Sequence, residues 1–123
     1  MNVLLVEADA LVREMLAEEF ADAEFDVVTA PCAKAATTIL ERAGEARPPP
    51  TIMVTAMGLG EGADGLALAA EVRRRWPDVL IIITAGVPAR PNDDGPREVW
   101  LRLPVGPTRL TATVNELMYR HRP

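Results

Sequence analysis

Four short runs of nearly uninterrupted apolar residues punctuate the chain, Val3 to Val6, Val27 to Thr29, Ile52 to Val54 and Val79 to Ile83, with a weaker fifth at Val99 to Leu103. Runs that do not alternate with polar residues predict strands buried on both faces of a parallel sheet. The segments between them have helical period. Leu11, Val12, Met15, Leu16 and Phe20 form one apolar stripe behind Asp9, a residue type suited to an N-cap. Ala33 to Ala43 is alanine-rich, with Ile39 and Leu40 to bury, and Arg47-Pro48-Pro49-Pro50 stops it. Leu68, Val72 and Trp76 recur every four residues after Asp64-Gly65, and Pro77 closes that helix. Leu110, Val114, Leu117 and Met118 give the last stripe, with Pro107 near N1. Alternation of strand and helix from end to end predicts a doubly wound α/β domain. Ala85 to Arg97 breaks the rhythm, because Gly86, Pro88, Pro91, Gly95 and Pro96 leave room for one short helical turn at most.

A chain of 123 residues that is 49% hydrophobic is expected to fold as one domain over residues 1–123. Eighteen acidic against thirteen basic side chains give a net charge of −5, which disfavours nucleic acid or an anionic membrane surface as partner. The longest nearly apolar run, Val79 to Ala89, falls far short of the roughly 20 residues that span a bilayer. MNVLLVEADA has no basic stretch ahead of a long apolar core, so no signal peptide is expected and the cytoplasm is the expected compartment. One cysteine, Cys32, excludes an internal disulfide and reads as a small filler near a helix start. Serine is absent, which removes a Ser-His-Asp nucleophile. The one histidine, His121, sits near the C-terminus as an expected solvated side chain, so no histidine-based metal or general-base cluster can form. Lys34 is the one lysine, and any site that needs an ammonium must use it.

VLLVEADALVREML, GLGEGADGLALAAEVRRRWPD, VLIIITAG and VWLRLPVGPTRL, taken in order and spacing, resemble the receiver domain of bacterial two-component response regulators over essentially the whole chain. The resemblance implies a flavodoxin-like five-stranded parallel sheet in the order 2-1-3-4-5, here with the helix after strand 4 shortened or missing. It places the site at the carboxyl ends of the strands. An ordinary receiver transfers a phosphoryl group to an aspartate. Two acids after strand 1 and the acceptor carboxylate after strand 3 hold magnesium, a hard cation that wants oxygen ligands. A hydroxyl after strand 4 and a lysine after strand 5 bind the phosphoryl oxygens.

Carried over residue by residue, the resemblance keeps Glu7 as the first acid, Thr84 as the hydroxyl, Trp100 as the strand 5 aromatic and Pro104 as the following proline. It finds Ala8 in place of the second acid, Ala56 in place of the acceptor and Leu103 in place of the lysine. The implied module is a degenerate pseudo-receiver, not an enzyme, that acts through protein-protein contact without a phosphoryl switch. Magnesium is expected in the family and not here, with Glu7 and Asp9 only a weak remnant of a metal site. Expected contact residues are Trp100, Arg102 and Leu110, toward a partner protein of a signalling pathway or a second copy of the chain. The resemblance also implies a cis bond at Leu103-Pro104.

Two other readings stand beside this one, a phosphorylatable receiver with an unorthodox acceptor and an engineered aspartate-to-alanine variant of a normal one. Against the first, Glu61 sits out on a loop and Thr55 alternates to the side of strand 3 opposite Ala56. Against the second, leucine is not a usual replacement for the lysine, and a proline-broken helix is no site mutation. Asp9 serves as N-cap or as a second metal ligand. Trp100 serves as core or as a contact aromatic. Gly60 to Gly65 spells GxGxxG, but it follows the third strand, so loop glycines at positive φ explain it better than dinucleotide binding. Arg73-Arg74-Arg75 reads as a solvated helix face.

Overall fold

The computed structural model describes residues 2–43, 49–59, 65–85, 97–102 and 106–121. Along them the chain runs β1 (Asn2–Val6), α1 (Ala10–Asp22), β2 (Asp26–Ala30), α2 (Ala33–Arg42), β3 (Ile52–Ala56), α3 (Gly65–Arg75), β4 (Leu80–Ala85), β5 (Glu98–Arg102) and α4 (Pro107–Arg120). All strand pairs are parallel and the order is β2-β1-β3-β4-β5, the doubly wound sheet that the alternating pattern predicts. Four helices are present among the described residues. Residues 86–96, where the short or missing helix is expected, lie outside the described residues, as do Leu103 and Pro104 with their expected cis bond.

The sheet separates two apolar layers. Val3, Leu5, Ile52, Val54, Leu80, Ile82 and Leu101 face α1 and α4, while Leu4, Val6, Met53, Ile81 and Ile83 face α2 and α3. Ile81, Ile82 and Ile83 are therefore buried on alternate faces of one strand, which is why β4 reads as an unbroken aliphatic run. Strand limits shift by one or two residues from the apolar runs. β3 continues to Ala56 because its backbone still pairs with Thr84, a bond pattern that side-chain hydropathy does not report. Val79 lies just before β4, where its N–H donates to the Trp76 carbonyl, yet it is buried.

Asp9 caps α1, its Oδ1 accepting from the backbone N–H groups of Leu11 at 2.9 Å and Val12 at 3.1 Å. The apolar stripe on α1 is narrower than its sequence pattern suggests. Phe20 is buried and Leu16 half-buried, whereas Leu11 is 78% and Met15 52% exposed. Val12, Leu16 and Phe20 follow one line down the helix; Leu11 and Met15 precede it by one residue, about 100° around the axis, and so turn toward solvent. The helix ends in a tight reversal in which Glu24 takes φ 69°. Its N–H donates to the Ala21 carbonyl and that of Phe25 to Phe20, while the Phe20 and Phe25 rings meet edge to face at 5.8 Å. This pairing is a Schellman closure with its hydrophobic contact, and it sets the entry of β2.

Cys32 sits half-buried at the start of α2, its thiol making no capping bond. The buried Leu110, Val114, Leu117 and Met118 on α4 match their stripe, and Pro107 occupies the first turn. His121 is half-buried at the end of α4 and not freely solvated as expected, and its backbone N–H donates to the Met118 carbonyl. The arginine run is exposed, yet it is bound in ion pairs. Arg75 reaches Glu41 of α2 at 2.8 Å and lies 4.3 Å above the Trp76 ring, Arg74 pairs with Glu71, and Arg73 pairs with Glu98 of β5. The hydrogen bond that Arg75 donates to the Glu41 carboxylate holds its guanidinium above its ordinary pKa.

Candidate functional site

Parallel strands bring their carboxyl ends to one edge of the sheet, and there the register sets Ala56 beside Thr84. Glu7 follows β1 directly, its N–H donating to the Ala30 carbonyl at 3.0 Å. Its carboxylate is already engaged, since Oε2 accepts from the Asp9 N–H at 3.0 Å, and its carbonyl accepts from Arg13 Nη1 at 2.9 Å. The Asp9 carboxylate turns the other way, into the first turn of α1, where its Oδ1 makes the expected cap. Ala8 between them is exposed and carries only a methyl group. Among the described residues no three acidic, histidine or cysteine side chains gather as a metal cluster.

Beneath this edge, on the α1 and α4 side, lies a cavity of about 120 Å³. Its walls are mostly aliphatic, with Leu16, Val54 and Leu110 among them, and Ala56 and Pro107 also line it. Among the described residues Glu7 is the one charged lining residue, and Thr84 adds a hydroxyl. Thr55 is wholly buried, its hydroxyl donating to the Ala56 carbonyl at 3.0 Å, so it is not offered to a phosphoryl donor. Glu61 lies outside the described residues.

A close approach fixes the backbone of the site. Gly65, the first residue of α3, donates its N–H to the Met57 carbonyl at 2.7 Å. A Cβ there would lie 2.0 Å from the Ala56 carbonyl oxygen and 2.9 Å from that of Met57. Gly65 is thus required by crowding against the end of β3, not by the positive φ that a glycine-rich loop suggests. The pairing of residues nine apart across a loop leaves no mark in hydrophobic period.

On edge strand β5, Trp100 packs against the α2 and α3 layer while Val99 and Leu101 belong to the opposite one. The Trp100 indole N–H donates to Glu98 Oε2 at 2.9 Å, and Arg73 Nη1 pairs with the other oxygen of the same carboxylate. The Glu98 side chain is only 12% exposed, so its bond with the indole is partly shielded from water, whereas the Arg73 side chain at the other oxygen is 51% exposed. Neither Glu98 nor Arg73 stands out in the sequence, because the two are 25 residues apart. Replacing Glu98 with alanine should free the indole, with hydrogen exchange of the Trp100 N–H rising about fivefold for a bond worth about 1 kcal/mol. Indole exchange read by NMR, with Trp100→Phe to assign the signal, checks this; an unchanged rate in the Glu98→Ala protein would refute the lock.

Of the three expected contact residues, Leu110 is 2% exposed and packs into the core and the cavity wall, so it offers nothing to a partner. Its stripe position on α4 faces the sheet, and that burial corrects the expectation. Trp100 is half-buried, and the Arg102 side chain lies outside the described residues.

No family model matches the chain, and no curated protein matches it. Solved structures do. The receiver domain from the hybrid histidine kinase CckA is 19% identical, covering 96% of this chain and 99% of that one with a TM-score of 0.75. A CheY-like response regulator receiver domain protein from Methanospirillum hungatei JF-1 is 16% identical over 97% of this chain and 94% of its own, with a TM-score of 0.79. The response regulator protein TrrA from Thermotoga maritima, solved in complex with Mg(2+)-BeF, is 19% identical over 94% of this chain and 97% of its own, with a TM-score of 0.78. At these identities the likeness shows the fold, a CheY-like, flavodoxin-like α/β sheet.

Proposed function

We propose that this chain is a receiver-like module of two-component signalling that has lost phosphoryl chemistry and acts by binding a partner protein. The observation that carries the reading is Ala56. It ends β3 beside Thr84, at the strand end where the fold's receivers would be expected to hold their acceptor, and it presents a methyl group to the cavity. A methyl group cannot attack phosphorus. With Ala8 beside it, Glu7 is left as the only carboxylate among the described residues that line the cavity, and one oxygen donor does not repay the dehydration of magnesium. Asp9, two residues on, is held by two backbone N–H groups of α1. The module is accordingly read as no enzyme.

The half-buried Trp100 on the edge strand, held by Glu98 and Arg73, supports a contact surface with one fixed form. An equilibrium that no ligand biases keeps one population. Protein is the proposed partner class, a second copy of the chain included, in the cytoplasm; no described helix is long and apolar enough to cross a membrane. The test is a magnesium titration followed by amide NMR. No saturable shift at Glu7, Ala56 or Thr84 is expected at millimolar magnesium, and a saturable one at these residues would overturn the reading.

A further inference from the structure

The cavity beside Ala56 is small, largely aliphatic, and carries one carboxylate among its described lining residues. We propose that it binds a compact organic cation, an ammonium head on an apolar body of about four to six carbons, a volume argument in which an apolar cavity of about 150 Å³ takes up benzene. This inference rests on the reading of Ala56 above, since a longer acidic side chain at that position would fill the space. At about 120 Å³ the cavity is slightly smaller than that benchmark. Apart from the Glu7 carboxylate and the Thr84 hydroxyl the described walls are aliphatic, so water there finds few side-chain partners. Poorly held water is displaced favourably by an apolar group.

Charge selects the head. Glu7 is the sole charged residue among the described lining residues, and one of its carboxylate oxygens is bonded to the Asp9 N–H while the other carries no bond to a described residue. A cation gains this carboxylate, a neutral analogue loses the attraction, and an anion meets repulsion on a chain of net charge −5. Partial exposure limits the preference to a few-fold, as for other solvent-accessible ion pairs.

The experiment titrates three molecules that share one isobutyl body, isobutylammonium, isobutanol and isovalerate, into the labelled protein at low salt. Saturable shifts confined to Val54, Ala56, Thr84 and Leu110 are expected, with the ammonium bound about threefold more tightly than the alcohol and the carboxylate weakest. Ala56→Leu should abolish all binding by occupying the space. Glu7→Gln, which keeps the cavity, should remove the preference while the alcohol still binds. Absence of saturable shifts with every probe, binding unchanged in a folded Ala56→Leu protein, or a carboxylate bound as well as the ammonium would each overturn the proposal. Its outcome separates from that of the phosphoryl question, because a chain found to accept phosphate could still bind the amine, and an inert chain could bind none.

Discussion

Gly65→Ala is expected to cost about 3 kcal/mol and to lower Tm by about 10 °C, a large effect for one added methyl group. Glycine to alanine in a helix ordinarily stabilises by about 0.5 to 1 kcal/mol through the unfolded chain, so the expected sign is reversed. The reason is the position of the new Cβ, 2.0 Å from the Ala56 carbonyl oxygen. That neighbour is backbone in a paired strand and cannot swing aside as a side-chain tip can. Relief would require α3 to lift from β3, which would break the bond from the Gly65 N–H to the Met57 carbonyl. Gly58→Ala is the matching control: no described residue lies within 4 Å of its added Cβ, and its effect should stay within about 0.5 kcal/mol. Thermal denaturation of the two variants beside the parent decides the matter. A Gly65→Ala protein as stable as the parent would show that the end of β3 is not held in this way.

The triple variant Ala8→Asp, Ala56→Asp, Leu103→Lys is expected to acquire both magnesium binding and phosphoryl acceptance, neither of which the parent should show. Two new carboxylates near Glu7 repel one another, so the variant should be less stable than the parent in the absence of metal. Magnesium then binds the folded state alone, and at a hundredfold excess over its Kd it should restore about 2.7 kcal/mol. The diagnostic is therefore a magnesium-dependent rise in Tm present in the variant and absent in the parent. The Ala56→Asp carboxylate would lie beside Thr84, whose hydroxyl-bearing side chain lines the same cavity. A folded triple variant indifferent to magnesium would mean that the three positions do not correspond to the receiver site.

Much of the fold is legible in the residues because burial on both faces leaves a plain trace. Ile81, Ile82 and Ile83 mark β4 by hydropathy alone, and Asp9 announces α1 by the chemistry of its side chain. What escapes the pattern is set by contacts between distant residues. Leu11 and Met15 look like core by spacing but face solvent, since apolar character does not say where the sheet ends beside a helix. Leu110 looks available and is buried for the converse reason. At the site, Glu7, Ala56 and Thr84 come together as their strand positions imply. The crowding at Gly65 and the bonds from Glu98 to Trp100 and Arg73 depend on tertiary approach and have no local signature.

The claim that phosphoryl chemistry has been lost is tested most directly by the mass of the intact, unaltered protein after incubation with acetyl phosphate and magnesium. No change in mass is expected, because the residue at the end of β3 carries a methyl group and the carboxylates of Glu7 and Asp9 are bonded to the start of α1. Stable addition of one phosphoryl group, mapped to Glu7, Asp9, Thr55 or Glu61, would contradict it.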